Sequence, residues 1–181
     1  MSPKPGAVAL ISCAALSACV APLPYNERVA KTATYHKLDA QLHDEPAADA
    51  LHIEQLPHLV RLTLADVLFA EGQAQPSDAG KSLLARLGPA LQDLGNQRVV
   101  VKSFTDSVSV GVEPPERFPS TVPLTRSRAA AVAGLLQLQG VPATLVYTSG
   151  LGDSHVVASN DTPQGRAKNR RVVIDIVAAP A

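Results

Sequence analysis

Aromatic residues are scarce in this sequence: it contains no Trp, and Phe and Tyr together make up 3% of its 181 residues. This scarcity argues against a surface that stacks aromatic rings on bases or sugars. Charge of one sign is not in excess either, because 16 Lys and Arg balance 16 Asp and Glu and the pI is near 7.0. We therefore expect no basic surface of the kind that attracts nucleic acid.

Cysteine is also rare, and both residues, Cys13 and Cys19, lie near the N-terminus. At these positions they cannot cross-link the body of a fold. They belong to a segment in which a basic start is followed by an apolar run over residues 6–16. That run is shorter than the ~20 residues that a membrane-spanning helix needs, so we interpret it as part of an export signal.

The export signal ends in Leu16-Ser17-Ala18-Cys19, which resembles the lipobox of bacterial lipoproteins. The resemblance implies a signal peptide over residues 1–18 and a lipid on Cys19 with enough acyl chains for stable anchoring. Val20 follows, and not the Asp that retains lipoproteins in the inner membrane of enteric bacteria. We therefore expect an outer-membrane protein that faces the periplasm. The alternative is a soluble periplasmic protein cut by the ordinary signal peptidase.

Residues 19–57 show weak hydrophobic patterning with scattered Pro, which predicts a lipidated N-terminus followed by a tether. A helix is possible between Asn26 and Leu42, although its apolar stripe is thin. Four His fall in or beside this segment, but none has the spacing of a metal ligand next to Cys or a carboxylate cluster. We interpret these His as solvated and expect no metal site.

Residues 58–181 are predicted to form one domain with the order β-α-β-α-β-β. Hydrophobic periodicity and turn residues predict strands over 59–69, 98–104, 143–149 and 169–177, and helices over 77–94 and 124–139. The strand over 98–104 is rich in β-branched residues, so we expect burial on both of its faces. The predicted fold class is α/β (α+β): a two-layer sandwich with a mixed sheet and helices on one face.

Charged residues cluster around the end of the second predicted strand. Thr105 and Asp106 follow that strand, while Arg126 and Arg128 are predicted in the first turn of the next helix, with Thr125 as its cap. Cations are unfavourable at a helix N-terminus, so an acidic group is expected nearby. Two interpretations stay open: an ion pair that joins strand to helix, or a site where an anionic ligand also meets free helix N–H groups.

Five short motifs occur in register with these elements, and together they are fairly specific. They are Thr105-Asp106, Leu124-Thr125-Arg126-Ser127-Arg128-Ala129, Gln139-Gly140-Val141-Pro142, Ser149-Gly150-Leu151-Gly152-Asp153 and Asn169-Arg170-Arg171-Val172. The pattern resembles the peptidoglycan-binding domain shared by OmpA C-termini and the peptidoglycan-associated lipoprotein. The resemblance covers about residues 59–177.

The resemblance implies non-covalent binding of peptidoglycan through the diaminopimelate of its stem peptides. By the same resemblance, Asp106 pairs with the ligand ammonium and Arg128 holds its carboxylate, while Thr105, Thr125 and Arg170 line the site. Arg170 has a second interpretation, as a structural surface residue. A zwitterionic amino-acid end suits one anion beside one two-pronged cation. We expect no cofactor.

The sequence departs from the family pattern around the loop over 107–123, which is long and rich in Pro. Ser107 follows Asp106 where the family usually has Gly soon after, and Ser120-Thr121 stands where a Tyr-Asn pair is usual. These departures leave a second hypothesis, in which the domain is an assembly component of an envelope or secretion complex with weakened wall binding. An enzyme is not expected, because the sequence offers no Ser-His-Asp, Cys-His or metal constellation, and His155 is isolated in a loop.

Overall fold

The computed structural model describes residues 25–42, 51–65, 68–70, 72–95, 97–107 and 118–178, with side chains from residue 33 onward. The helices are α1 (Tyr25–Leu42), α2 (Asp78–Ala90), α3 (Thr121–Leu138) and α4 (Pro163–Asn169). The strands are β1 (Leu51–Leu56), β2 (Leu59–Leu64), β3 (Gln97–Phe104), β4 (Val146–Gly150) and β5 (Arg171–Ala178). The predicted signal peptide and Cys19 lie outside the described residues. None of the described helices has the length and apolar character needed to cross a membrane.

One mixed sheet organises the fold, with the strand order β1-β2-β5-β3-β4. The pairs β1–β2, β2–β5 and β5–β3 are antiparallel, and β3–β4 is parallel. Helix α3 lies between β3 and β4 in the chain, as a parallel pair requires a long crossover. The predicted α+β class with a mixed sheet is confirmed.

The helices α1, α2 and α3 contribute apolar side chains to a single core that covers one face of the sheet. Along β2 and β3 the buried side chains alternate with partly exposed ones, as in a sheet with one covered face. The prediction that β3 is buried on both faces is therefore wrong. The core positions facing the helices include Val60, Leu62, Val99, Val101, Ile174 and Ile176.

Two segments of the predicted tether over 19–57 are folded against the domain. Helix α1 buries Leu38 and Leu42 in the core, at 0% and 3% exposure, and Thr34 exchanges hydrogen bonds with Gln97 of β3. Strand β1 forms a hairpin with β2 in which Leu51 pairs with Leu64. The thin apolar stripe of α1 suffices because these tertiary contacts supply the stability that its local pattern does not.

The element boundaries differ from prediction at several ends. Strand β2 stops at Leu64, five residues earlier than predicted, and a short helix α4 precedes β5. Ser77 caps α2 as predicted, since its Oγ accepts a hydrogen bond from the Gly80 N–H at 3.0 Å. Helix α3 begins at Thr121 with Ser120 in the cap position, so Thr125 does not cap it. Proline in the first turn of α3 is compatible with helical backbone because no N–H donor is needed there.

The other face of the sheet carries a charged cluster centred on Asp175 of β5. Arg61 donates to both carboxylate oxygens, at 2.7 and 3.0 Å, and Lys102 donates to Oδ2 at 2.8 Å. Burial by itself raises the pKa of the Asp175 carboxyl, but the hydrogen bonds from these two cations outweigh burial and hold the pKa below its usual range. The same bond to Asp175 raises the pKa of Arg61.

Candidate functional site

An ion pair closes the gap between the end of β3 and the start of β5. Because Phe104 pairs with Arg171 in the antiparallel β3–β5 ladder, the residues just beyond each partner lie side by side. Arg170 Nη1 donates to Asp106 Oδ2 at 2.6 Å, with the Asp106 side chain 1% exposed and the Arg170 side chain 17% exposed. The structure thus brings together two of the residues that the sequence predicted, and it gives Arg170 a direct contact with Asp106.

Arg128 reaches the same region from α3. It is the eighth residue of that helix, so the prediction of Arg128 in the first turn is wrong. Its side chain is buried, with Nε donating to the Gln73 carbonyl at 2.8 Å and Nη2 to the Ala70 carbonyl at 3.4 Å. The guanidinium carbon also lies 4.8 Å from the centre of the Phe69 ring, within cation–π range. Arg126 is the sixth residue of α3, so its predicted place in the first turn is wrong as well, and its side chain is exposed.

A small cavity lies beside the two arginines. Arg128 and Arg170 line it together with Phe69 and Phe104, and its free volume is about 10 Å³. That space is near the minimum for one water molecule. A larger ligand therefore requires movement of a side chain, and Arg170, which keeps part of its surface in solvent, is the candidate.

The two predicted threonines, Thr105 and Thr125, both contact Gly152, and Thr105 directly precedes Asp106. Thr125 Oγ1 donates to backbone carbonyls of the preceding turn of α3 and accepts a hydrogen bond from the Gly152 N–H at 2.9 Å. The Thr105 N–H donates to the Gly152 carbonyl at 2.9 Å. The Thr105 hydroxyl is buried and has no hydrogen-bond partner among the described residues. These contacts fix the loop after β4 against the end of β3.

Close backbone approach makes Gly150 necessary at this junction. A Cβ on Gly150 would lie 2.2 Å from the Arg126 backbone nitrogen, far inside van der Waals contact. Gly152 adopts a φ of 59°, a left-handed conformation that glycine accepts without a steric cost. The Ser-Gly-Leu-Gly motif therefore has a structural reason, since both glycines let the loop after β4 pack on α3.

Asn169 positions Arg170, and its role was not predicted from the sequence. The Asn169 side chain is fully buried and makes four hydrogen bonds to the loop over 157–160, between 2.8 and 3.1 Å. This satisfies its amide completely and fixes the chain just before β5. The sequence signal that could have indicated this role is the position of Asn169 directly before Arg170 and Arg171. The backbone partners of Arg128 left no signal in the sequence.

The assembled site holds one buried carboxylate and two guanidinium groups at the edge of the sheet. Such a set can bind a ligand that carries both an ammonium and a carboxylate, since each ligand charge finds an opposite one. Among the described residues there is no group of three or more His, Cys, Asp or Glu side chains that could hold a metal ion.

Fold and site together define a small α+β domain with a cluster of charged side chains where β3 ends and β5 begins. Residues 68–170, more than half of the chain, match the sequence model of the OmpA family. The chain therefore belongs to the OmpA family.

Curated relatives and a solved structure agree with this assignment. The chain is 35% identical over 114 residues to the peptidoglycan-binding protein ArfA of Mycobacterium tuberculosis H37Rv, covering 62% of this chain and 32% of ArfA. It is 30% identical over 139 residues to "Probable lipoprotein YiaD" of Escherichia coli K12, covering 76% of this chain and 60% of YiaD. The chain thus spans less than two thirds of either relative. The cell wall anchor of the T6SS from Pseudomonas aeruginosa matches with a TM-score of 0.69 and 31% identity, over 78% of this chain and 96% of that chain.

Proposed function

We propose that this chain binds peptidoglycan non-covalently, through the diaminopimelate end of a stem peptide, at the site formed by Asp106, Arg128 and Arg170. The observation that carries the proposal is the Asp106–Arg170 ion pair beside a second buried guanidinium. The similarity to ArfA, whose name states peptidoglycan binding, supports the polymer as ligand. Binding without catalysis is the role that we propose.

A zwitterion is the ligand class that can enter this site at the least electrostatic cost. Separating a buried ion pair by removing one partner costs about 3–5 kcal/mol, because a charge is left uncompensated. A ligand with an ammonium and a carboxylate on one carbon can pair with Asp106 and with the arginines at the same time. Asp106 then exchanges the Arg170 guanidinium for the ligand ammonium, so its buried charge is not left uncompensated.

Entry of the ligand requires Arg170 to release Asp106. The Arg170 side chain is more exposed than that of Asp106, so its charge can be rehydrated as it swings outward. The ligand ammonium then takes the place of the Arg170 guanidinium on Oδ2. Arg128, held by the Gln73 and Ala70 carbonyls, is already oriented for the ligand carboxylate. Thr105 and Thr125 act by holding the loop at Gly152 in place.

Substitutions of the two α3 arginines test the proposal. Arg128→Ala should weaken binding of the full chain to isolated sacculi by about 2 kcal/mol or more, roughly thirtyfold, since it removes a charge-assisted contact. Arg128→Lys keeps the charge but loses the planar fork, so we expect an intermediate loss. Arg126→Ala is the matched control, because Arg126 is exposed on another side of α3. Equal losses in all three variants would indicate a nonspecific positive surface.

We also propose that the chain is a lipoprotein anchored in the outer membrane through Cys19, with its domain in the periplasm. The lipobox-like Leu16-Ser17-Ala18-Cys19 and the similarity to YiaD support this. Metabolic labelling with a clickable fatty acid should mark the wild-type protein but not Cys19→Ser. Retention of Cys19→Ser in the outer membrane after high-salt washing would contradict the lipid anchor.

The second candidate function is a structural component of an envelope or secretion assembly. The closed Asp106–Arg170 pair and the single-water cavity favour it, because they are also what a purely structural ion pair would show. The similarity of this chain to the T6SS cell wall anchor is compatible with either role. This second function would be supported if the full chain does not bind isolated sacculi but retains a protein partner after crosslinking in cells.

A further inference from the structure

The face of the sheet that the three long helices leave uncovered holds an open groove of about 760 Å³. Four cations line it or border it: Arg61, Lys102, Lys168 and Arg171. Two carboxylates oppose them: Glu54 also lines the groove, and Asp175 binds Arg61 and Lys102. The groove therefore has an excess of positive charge although the whole chain is neutral.

Two of the four cations carry that excess. Asp175 binds both Arg61 and Lys102, as described above. Arg171 and Lys168 have no carboxylate within salt-bridge distance among the described residues. The pKa of Arg171 is lowered, mainly by burial and secondly by the nearby Arg61 cation.

Arg171 is held in a fixed orientation at the inner end of the groove. Its guanidinium carbon lies 4.0 Å from the centre of the Phe104 ring, and Nη2 donates to the His155 carbonyl at 3.0 Å. His155 has a φ of 59°, which is uncommon for a residue other than glycine, and its ring meets the edge of Phe104. Nη1 also donates to the Asn169 carbonyl at 3.4 Å. A guanidinium has five N–H donors, so others stay available to a further acceptor.

The groove shares part of its lining with the cavity of the proposed peptidoglycan site. Ala65, Phe104 and Arg171 line both, and Arg171 directly follows Arg170 in the chain. A peptide held by one amino-acid end at Asp106 and Arg128 would leave the cavity at this point. Its next residues would then lie beside Arg171 and Lys168.

We propose that this groove is a second anion-binding site, in which Arg171 and Lys168 bind carboxylate groups of the same peptidoglycan stem peptide that occupies the first site. The inference rests on the proposed function, because it takes the stem peptide as the ligand. Stem peptides carry free carboxylates besides those of the bound end. Two cations along the exit path suit such a ligand better than an uncharged polymer.

Neutralising substitutions in the full chain test the second site by co-sedimentation with isolated sacculi. Lys168→Gln should weaken binding about threefold at low salt, as expected for one exposed ion pair. The double variant Lys168→Gln/Arg171→Gln should weaken it at least about tenfold, since Arg171 is half-buried and makes a charge-assisted contact. Both differences should shrink at high salt because exposed pairs are screened. Lys81→Gln, on α2 and away from the groove, is the matched control and should bind as wild type does.

The outcomes separate the two proposals. If wild type does not bind sacculi, the proposed function itself fails. If wild type binds and Asp106→Asn does not, while Lys168→Gln and the folded double variant both match wild type, only the second site is refuted. Lys168 is exposed, so its substitution leaves the fold intact even if the double variant unfolds. Vesicles containing phosphatidylglycerol are the comparison ligand. If the Lys168→Gln and double variants lose vesicle binding while their binding to sacculi is unchanged, the groove binds phosphate groups and the proposal is overturned.

Discussion

Asp106→Asn removes the negative charge of the central ion pair while leaving the side-chain volume unchanged. The 2.6 Å contact with Arg170 loses its charge attraction, and both partners are largely buried. Breaking a buried pair costs about 3–5 kcal/mol, and the partial exposure of Arg170 reduces this because water can reach its guanidinium. We therefore expect a loss of about 2–3 kcal/mol in the free energy of unfolding.

Chemical denaturation of the full chain measures this loss, and thermal unfolding should show a fall of roughly 4–12 °C in Tm. Asp93→Asn is the matched control, because Asp93 lies in the turn after α2 with its side chain 90% exposed. That variant should change stability by less than about 0.5 kcal/mol. If Asp106→Asn unfolds at the same denaturant concentration as wild type, Asp106 and Arg170 do not form a stabilising buried ion pair, and the proposed site loses its basis.

Three further predictions concern the fold around the site. Asp175→Asn should lower the free energy of unfolding at neutral pH and make that free energy less sensitive to acid. The folded pKa of Asp175 is lowered, so the carboxylate stabilises the fold above its unfolded pKa near ~4, and this stabilisation is lost as pH falls through the folded pKa. Denaturation at pH 7 and at pH 3 checks the difference. Gly150→Ala should lower the free energy of unfolding by more than about 2 kcal/mol, because the added methyl group clashes with the α3 backbone. Gly134→Ala is the control on α3: the new methyl group meets open space there, and it should raise the free energy of unfolding by up to about 1 kcal/mol. Leu38→Ala should cost about 2–5 kcal/mol if α1 packs on the core, whereas Leu138→Ala, at 81% exposure, should cost little. Equal effects of the two leucine substitutions would contradict the packing of α1.

Local patterning predicted the central part of the fold because those elements carry strong signals. The leucines of α2 recur at helical spacing behind a Ser77 cap, and the β-branched run of β3 is unmistakable. The start of α3 differs from the prediction because Pro123 favours a loop in the sequence pattern, although proline is tolerated in a first helical turn. Strand β1 was missed because its exposed positions dilute the alternation, and its pairing with β2 is decided by tertiary contacts.

The charged site was only partly readable from the sequence. Asp106, Arg128 and Arg170 were identifiable as types of residue in family-like motifs, but the pairing of Asp106 with Arg170 follows from the register of β3 against β5. Register depends on the whole sheet and not on the local spacing of residues. The carbonyls that orient Arg128 belong to residues 70 and 73, and backbone acceptors have no signature in the side-chain sequence.

Binding of a stem-peptide end at Asp106 is measured by co-sedimentation of the full chain with isolated sacculi, with free diaminopimelate as competitor. We expect that wild type sediments with sacculi, that the free amino acid displaces it, and that folded Asp106→Asn stays in the supernatant. Sedimentation of Asp106→Asn equal to that of wild type, or wild-type binding that diaminopimelate does not reduce, would contradict the claim that this site binds the zwitterionic end of a stem peptide.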